Sequence, residues 1–345
     1  MIDFCGWEMP LQYRGVIHEH TAVRKNAGLF DVSHMGRINI EGPDAEDLLN
    51  YLSTNEISNK SIGSATYTVW CNESGQSLDD LIIYKESASK FFIIVNACNR
   101  EKDLVHLRHY AEGKKVIIED RYQTDGILAI QGPKSEKIIL QLFKEVQSLK
   151  PMHFLSLSYQ GRLLVLSRTG YTGEVGFEIY APSESIVSLW ELFLKEGSSE
   201  GIEPAGLGVR DILRLEMGYA LYGHELNETM TPLESVSAWT IKWQKSDFLG
   251  KSALEKLKTS HHHHFQAGII MKDRAIPREG YEVFQEGKLI GKVTSGTFSP
   301  SLGLGIAIVL VERNLLEGDS VEVRVRENFH PAKVVPLPFK KQSEA

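Results

Sequence analysis

Two adjacent carboxylates, Asp79 and Asp80, stand where a polar turn meets an apolar strand. Because side chains alternate along a strand, Asp80 shares one face with Ile82 and Tyr84, whereas Asp79 lies on the other face. A carboxylate beside an aromatic hydroxyl on a strand face is suited to holding a polar, nitrogen-rich ligand. The alternative is that both acids cap the turn and remain solvated, since Asp is favoured in turns.

A third carboxylate, Glu178, follows three glycines that are spaced three residues apart. These glycines fit neither the GxGxxG motif nor a phosphate-binding loop, so the segment does not indicate nucleotide binding. In the strand that follows, Glu178 shares a face with Tyr180 and lies opposite Phe177 and Ile179. This carboxylate is therefore also predicted on the face of a sheet.

Two arginines, Arg210 and Arg214, are four residues apart in a predicted helix. Asp211 is three residues before Arg214 and can pair with it. Because apolar residues occupy most of the helix surface, some of these charges are expected to be buried and to need partners. The pattern leaves structural ion pairing and ligand binding equally open.

Other candidate sites are less favoured. Ser33 and His34 are adjacent, and adjacency usually prevents a histidine from activating a serine hydroxyl, so a serine hydrolase is not indicated. His224 and the acids of its loop could bind a metal, but a lone His beside a Glu is usually a surface or hydrogen-bonded loop residue. The run His261–His264 has no accompanying cysteine or acidic cluster. We interpret the histidine run as a solvated linker and predict no metal site.

Composition excludes several classes of partner. The 345 residues include 42% hydrophobic and 24% charged residues, typical of a soluble globular protein, and no apolar run is long enough to cross a membrane. With 38 basic and 45 acidic residues the net charge is -7, so neither nucleic acid nor a membrane surface is an expected partner.

The three cysteines form no CxxC pair and are odd in number, so a disulfide framework is not expected. No secretory signal is recognisable at the start of the sequence. Both observations favour a reducing, cytoplasmic location.

Strand-like and helix-like runs interleave through the first two thirds of the chain, which predicts an α+β fold. Strands are predicted at 67–71, 81–84, 91–96, 126–131, 162–167 and 176–180, and helices at 44–52, 99–111, 134–149 and 183–196. Beyond about residue 255, short apolar runs broken by glycine predict a small β-barrel. The predicted organisation is residues 1–255, a linker at 256–264 and a barrel at 265–345.

Several segments, in order, resemble motifs of the glycine cleavage T-protein family, the tetrahydrofolate-dependent aminomethyltransferases. They are DFCGWEMP at 3–10, FDVSHMG at 30–36, the Asp79–Asp80 segment, QGP at 131–133, residues 168–178, 205–216 and 222–223, AIPREGY at 275–281 and TSGTFSP at 294–300. The family usually has further residues before the first motif, so either a segment is missing or the start is misassigned.

This resemblance implies a three-domain cloverleaf around a central folate pocket, with two α/β folate-binding domains of ferredoxin-like character and the C-terminal barrel. It implies transfer of the methylene of an aminomethyl group, carried on the lipoyl arm of the H protein, to tetrahydrofolate with release of ammonia. The implied co-substrate is tetrahydrofolate, and the implied partner is the lipoyl-carrying H protein, bound transiently.

The resemblance also assigns residues. It implies that Asp80 approaches N10 of the folate and is the catalytic residue, with Asp79 as its structural neighbour. It implies that Glu178 hydrogen-bonds the pterin ring and that Arg210 lies in the pocket. The other implied pocket residues are Tyr67, Tyr84, Asn96 and Tyr219.

The main alternative is a non-enzymatic folate-binding protein of the type involved in iron-sulfur cluster assembly. Such proteins carry a KGCYxGQE-like motif, and the corresponding segment here, Tyr222-Gly223-His224-Glu225, has no cysteine. Folate domains of sarcosine and dimethylglycine dehydrogenases are fused to a flavin domain, for which this chain has no room.

Overall fold

The computed structural model describes residues 1–260 and 263–340, which form two β-sheets, a β-barrel and surrounding helices. A short hairpin at the start of the chain consists of β1 (Ile2–Phe4) and β2 (Trp7–Met9). The helices are α1 (Val16–Lys25), α2 (Ala45–Leu52), α3 (Arg100–Tyr110), α4 (Ser135–Leu142), α5 (Ser183–Glu196), α6 (Leu207–Glu216) and α7 (Lys251–Ser260). No helix in the described ranges has the length and apolar run needed to cross a bilayer.

The first sheet has six strands in the order β10-β11-β12-β9-β3-β13. These strands are β3 (Ala27–Asp31), β9 (Asp125–Gln131), β10 (Phe154–Tyr159), β11 (Arg162–Ser167), β12 (Gly176–Pro182) and β13 (Ile202–Pro204). Neighbouring strands are antiparallel except for β13, which pairs with β3 in parallel. The outer face of this six-stranded sheet packs against apolar side chains of α4 and α5.

The second sheet has five antiparallel strands in the order β5-β6-β7-β4-β8. They are β4 (Gly36–Glu41), β5 (Ala65–Cys71), β6 (Ser77–Lys85), β7 (Lys90–Val95) and β8 (Ile117–Asp120). Helices α2 and α3 cover its outer face. The inner faces of the two sheets share a core in which Tyr84, Phe92 and Ile94 meet Phe30 and Ile127.

The barrel closes in the order β14-β17-β16-β15-β18-β19. Its strands are β14 (Phe265–Met271), β15 (Glu282–Gln285), β16 (Lys288–Ser299), β17 (Leu304–Val311), β18 (Ser320–Val325) and β19 (Asn328–Val335). Closure pairs every strand on both sides and leaves no open edge. Helix α6 packs against β16 and carries the barrel next to the two sheets.

The histidine run and the predicted linker are described only in part. Helix α7 ends at Ser260, so the stretch predicted as a linker from residue 256 begins inside a helix. His261 and His262 lie outside the described residues. His264 is exposed, and its Nδ1 lies 3.2 Å from the Glu234 carboxylate.

The expectation that the cysteines form no disulfide is wrong. Cys5 in the hairpin and Cys98, just before α3, are bonded across 93 residues, with their Cα atoms 5.2 Å apart. An odd count and the lack of a CxxC motif leave one long-range pair possible, because only the fold brings such residues together. Cys71 is the remaining cysteine and is buried.

We expect thiol labelling to reflect this pairing. Protein purified without reductant and then unfolded should incorporate one alkylating label, on Cys71, because the other two sulfurs are bonded to each other. After reduction it should incorporate three, and mass spectrometry distinguishes the two results. Three labels without reduction would show that Cys5 and Cys98 are free thiols.

Candidate active site

A cavity of about 980 Å³ opens between the two sheets, helix α6 and the barrel. Its walls are largely apolar and aromatic, with a few convergent polar groups, as in sites that hold a small molecule. Six of the seven residues that the resemblance assigns to the pocket line it: Tyr67, Asp80, Asn96, Glu178, Arg210 and Tyr219.

Strand alternation separates the two carboxylates of β6. Asp79 is completely buried on the face that carries α2 and α3, whereas Asp80 lines the cavity. The turn before β6 is closed by Asn72, whose Oδ1 accepts the backbone N–H groups of Ser74 and Gln76 at 3.0 Å each. The alternative in which both acids cap a solvated turn is therefore wrong.

Asp80 is held by donors from two neighbouring strands. The Tyr67 hydroxyl donates to its Oδ2 at 2.9 Å, and Asn96 Nδ2 donates to its Oδ1 at 2.9 Å. Burial and the nearby charge of Asp79 raise the pKa of Asp80 to about 7, against the opposing effect of these hydrogen bonds. A carboxyl with such a pKa can both accept and release a proton near neutrality.

Glu178 lies in a different part of the cavity and is fixed through one of its two oxygens. Its Oε2 accepts hydroxyl groups of Thr169 at 2.6 Å and Tyr180 at 3.1 Å. Within residues 1–260 and 263–340 no group donates to Oε1. That oxygen is left for a ligand that offers an N–H group.

The assignment of Tyr84 as a lining residue needs correction. Tyr84 is completely buried, with its ring stacked on Phe92 at 4.2 Å between centroids. Its hydroxyl is hydrogen-bonded to the Tyr180 hydroxyl at 2.6 Å and lies 3.5 Å from Glu178 Oε2. Tyr84 therefore acts behind the wall, where it orients groups that do reach the cavity.

The two arginines of α6 have different roles. Arg214 is only 2% exposed and pairs at 2.8 Å with both Asp211 and Glu225, so its role is structural. Arg210 lines the cavity, and in the described part of the chain it forms no ion pair with a carboxylate. Burial lowers its pKa. Its guanidinium lies 4.7 Å from the centre of the Tyr171 ring.

Several lining residues were not found from the sequence. Tyr171 stacks on Tyr219, and the exposed Trp239 stacks on Tyr67 at 5.7 Å between centroids. His34 also lines the cavity, and burial, together with the charges of nearby arginines, lowers its pKa to about 3. Trp239 lies in a polar segment without strand or helix periodicity, so no sequence pattern indicated it.

Neither nucleophilic catalysis by Ser33 nor metal binding gains support. The Ser33 hydroxyl accepts the backbone N–H of Ile127 at 3.0 Å, which ties it to the neighbouring strand. Among the described residues no group of three or more His, Cys, Asp or Glu side chains could hold a metal ion. The arrangement is that of a small-molecule site, in which the half-buried carboxylates of Asp80 and Glu178 lie on the walls of a largely apolar cavity.

Comparison with known proteins identifies the family. Residues 1–245 match the model of the GCVT N-terminal domain, and residues 266–341 match that of the glycine cleavage T-protein C-terminal barrel domain. The aminomethyltransferase of Chlorobium luteolum is 44% identical over 348 residues, covering 99% of this chain and 95% of that protein. That of Bacillus subtilis is 42% identical over 345 residues, covering 99% and 95%.

The crystal structure of glycine cleavage system aminomethyltransferase T from Bartonella henselae has a TM-score of 0.91 to this fold at 33% identity, covering 99% of this chain and 94% of that one. This chain belongs to the glycine cleavage T-protein family. The predicted fold class, α+β with a C-terminal barrel, is confirmed, as is the enzyme class, an aminomethyltransferase of the glycine cleavage system.

We expect Tyr67→Phe to raise the pKa of Asp80 further, because the lost hydroxyl stabilises the ionised carboxylate. A hydrogen bond to a charged group contributes about 1.5 kcal/mol or more, which corresponds to a rise of about one pKa unit. Carboxyl NMR titration of Asp80 measures it.

Tyr110→Phe is the matched control, since it removes a hydroxyl that donates to the surface carboxylate of Glu73. The control should leave the titration of Asp80 unchanged. An unchanged or lowered pKa of Asp80 in Tyr67→Phe would contradict the assigned hydrogen bond.

Proposed function

We propose that the cavity binds tetrahydrofolate and that Asp80 is the catalytic carboxylate in transfer of a methylene group to it from an aminomethyl-lipoyl arm. The observation that carries this proposal is the Asp80 carboxylate, held by Tyr67 and Asn96 on the wall of a cavity large enough for such a ligand. The neighbouring groups support it in three ways.

The first support is the polar group at Glu178. A pterin ring presents adjacent N–H donors along one edge, and Glu178 Oε1 is the acceptor left open to the cavity. Thr169, Tyr180 and, behind them, Tyr84 hold the other oxygen in place. A carboxylate that is already oriented loses little conformational freedom when the ligand binds.

The second support is the cation at Arg210. A half-buried guanidinium in a largely apolar cavity, with no carboxylate partner in the described chain, is costly unless a ligand supplies acceptors. Tetrahydrofolate offers a ring carbonyl and, on its tail, carboxylates. The rings of Tyr171 and Tyr219 supply the aromatic walls that a flat ring system requires.

The third support is the proton balance of the reaction. The methylene carbon leaves an amine and a thioether sulfur and becomes bonded to N5 and N10 of the folate. The two folate nitrogens each lose one hydrogen, and these leave with ammonia and with the lipoyl thiol. Asp80 near N10 can accept a proton there and stabilise positive charge that develops during attack on the carbon.

The methylene donor would arrive on the H protein, which binds transiently and extends its lipoyl arm into the cavity. Trp239 lines the cavity and is 59% exposed, so it marks a side open to solvent. An apolar side chain at such an opening is suited to contact the aliphatic lipoyl chain.

We expect Asp80→Asn to abolish most turnover while keeping the shape of the site. Loss of a positioned acid-base group typically costs about 10² to 10⁴ in rate. The assay uses aminomethyl-loaded H protein and tetrahydrofolate, and it measures both ammonia and methylenetetrahydrofolate. Tetrahydrofolate affinity, measured by calorimetry, should change far less than turnover.

Asp273→Asn is the control, because this half-buried aspartate of the barrel contacts His330 and does not line the cavity. Turnover of Asp80→Asn within a few-fold of wild type would refute the role of Asp80. Folate binding by the wild type without ammonia release would instead favour the non-enzymatic, iron-sulfur type of folate-binding protein.

A further inference from the structure

Behind the cavity wall lies another carboxyl, that of Asp103 in α3, which is completely buried. It is within hydrogen-bonding reach of Asp79. No N–H or O–H group of residues 1–260 and 263–340 donates to either Asp103 oxygen as an ionised carboxylate would require. Two buried carboxyls in contact cannot both be ionised without a large cost, so the pair keeps one proton.

The donors around Asp79 decide which carboxyl carries that proton. Asp79 accepts the backbone N–H of Asn96 at 3.0 Å, Asn96 Nδ2 at 2.8 Å and Asn99 Nδ2 at 2.6 Å. These donors stabilise an ionised carboxylate, which can only accept. Asp103 has no comparable donors and therefore holds the proton, which it donates to Asp79.

The other charged and titratable groups near this pair do not reverse the assignment. Lys102, next to Asp103 in α3, is a nearby cation, but its Nζ is engaged by Glu228 at 2.7 Å and by the Tyr222 hydroxyl at 2.8 Å. Tyr222 faces Asp79 from the segment after α6. Asp80, from the same strand as Asp79, adds a further negative charge and favours protonation of Asp103.

Asn96 connects this pair to the cavity. Its Nδ2 donates to Asp79 Oδ1 at 2.8 Å and to Asp80 Oδ1 at 2.9 Å. The same Nδ2 also donates to the backbone carbonyl of Asp80 at 3.0 Å, and Asp79 contributes to the orientation of the amide as long as it is an acceptor. A protonated Asp79 would present an O–H donor to the Nδ2 donor of Asn96, and the hydrogen bond between them would be lost.

We propose that Asp103 is a protonated positioning residue: its proton keeps Asp79 an acceptor, Asp79 fixes the amide of Asn96, and Asn96 orients the carboxylate of Asp80. This proposal rests on the proposed function in that Asp80 is the catalytic group. Asp103 itself does not line the cavity.

Two substitutions of similar size distinguish hydrogen-bond donation from residue 103 to Asp79 from simple filling of the space that the Asp103 side chain occupies. Asp103→Asn keeps an N–H donor toward Asp79, so we expect turnover within about three-fold of wild type. Asp103→Leu fills the site without a donor, and a displaced catalytic group should lower turnover by about ten- to a hundred-fold. Equal losses in the two variants would overturn the proposal, since a donor would then confer no rescue.

Infrared difference spectroscopy tests the proton directly and needs no substrate. At alkaline pH, where Asp80 is ionised, wild-type protein should show the C=O stretch of a protonated carboxylic acid that is missing in Asp103→Asn. Absence of this band from active wild-type protein would overturn the proposal. A wild type that shows the band but releases no ammonia would refute the proposed function instead, so the two failures are distinguishable.

Discussion

Burial of two charges at the end of α6 is the constraint that joins the parts of this molecule. Arg214 and Glu216 are almost completely buried, and a buried charge is tolerated only when other groups supply its partners. Although burial opposes ionisation, hydrogen bonding and charge from His20, with further help from Ser299 and Arg24, lower the pKa of Glu216 to about 2.

These partners come from different parts of the chain. His20 and Arg24 belong to α1, whereas Ser299 belongs to barrel strand β16 and donates to Glu216 at 2.6 Å. Arg214 makes a similar contact with Ser295 of the same strand at 2.7 Å. The buried charges of Arg214 and Glu216 in α6 thus obtain all these partners only when α1 and the barrel are packed around that helix.

This assembly also determines which charged groups line the cavity. One turn before Arg214, Arg210 extends into the cavity, where no carboxylate of the described chain pairs with it. Asp80 is half-buried beside a second acid, and both its partial burial and that charge oppose its ionisation. Groups that are unfavourable for stability but lie together in one cavity are typical of functional sites.

The sequence predicted those features that depend on local periodicity. Alternation along β6 separated Asp80 from Asp79, and spacing along α6 predicted the pair of Asp211 with Arg214. The resemblance supplied Glu178 and Arg210 as pocket residues, and their position at the cavity agrees with it, although their contacts with folate stay predictions.

Features that depend on long-range packing were not predicted. Whether Tyr84 lines the cavity or supports it is decided by Phe92 and Tyr180, which come from other strands. The Cys5–Cys98 bond joins residues 93 positions apart, and no local pattern predicts such a contact.

On the proposed function, Asp80 and Glu178 contact different parts of one bound folate. A crystal structure of the protein with tetrahydrofolate tests this most directly. We expect the pterin N–H edge on Glu178 Oε1 and N10 within hydrogen-bonding reach of the Asp80 carboxylate. A folate that binds in the cavity with Asp80 out of reach of both N5 and N10 would contradict it.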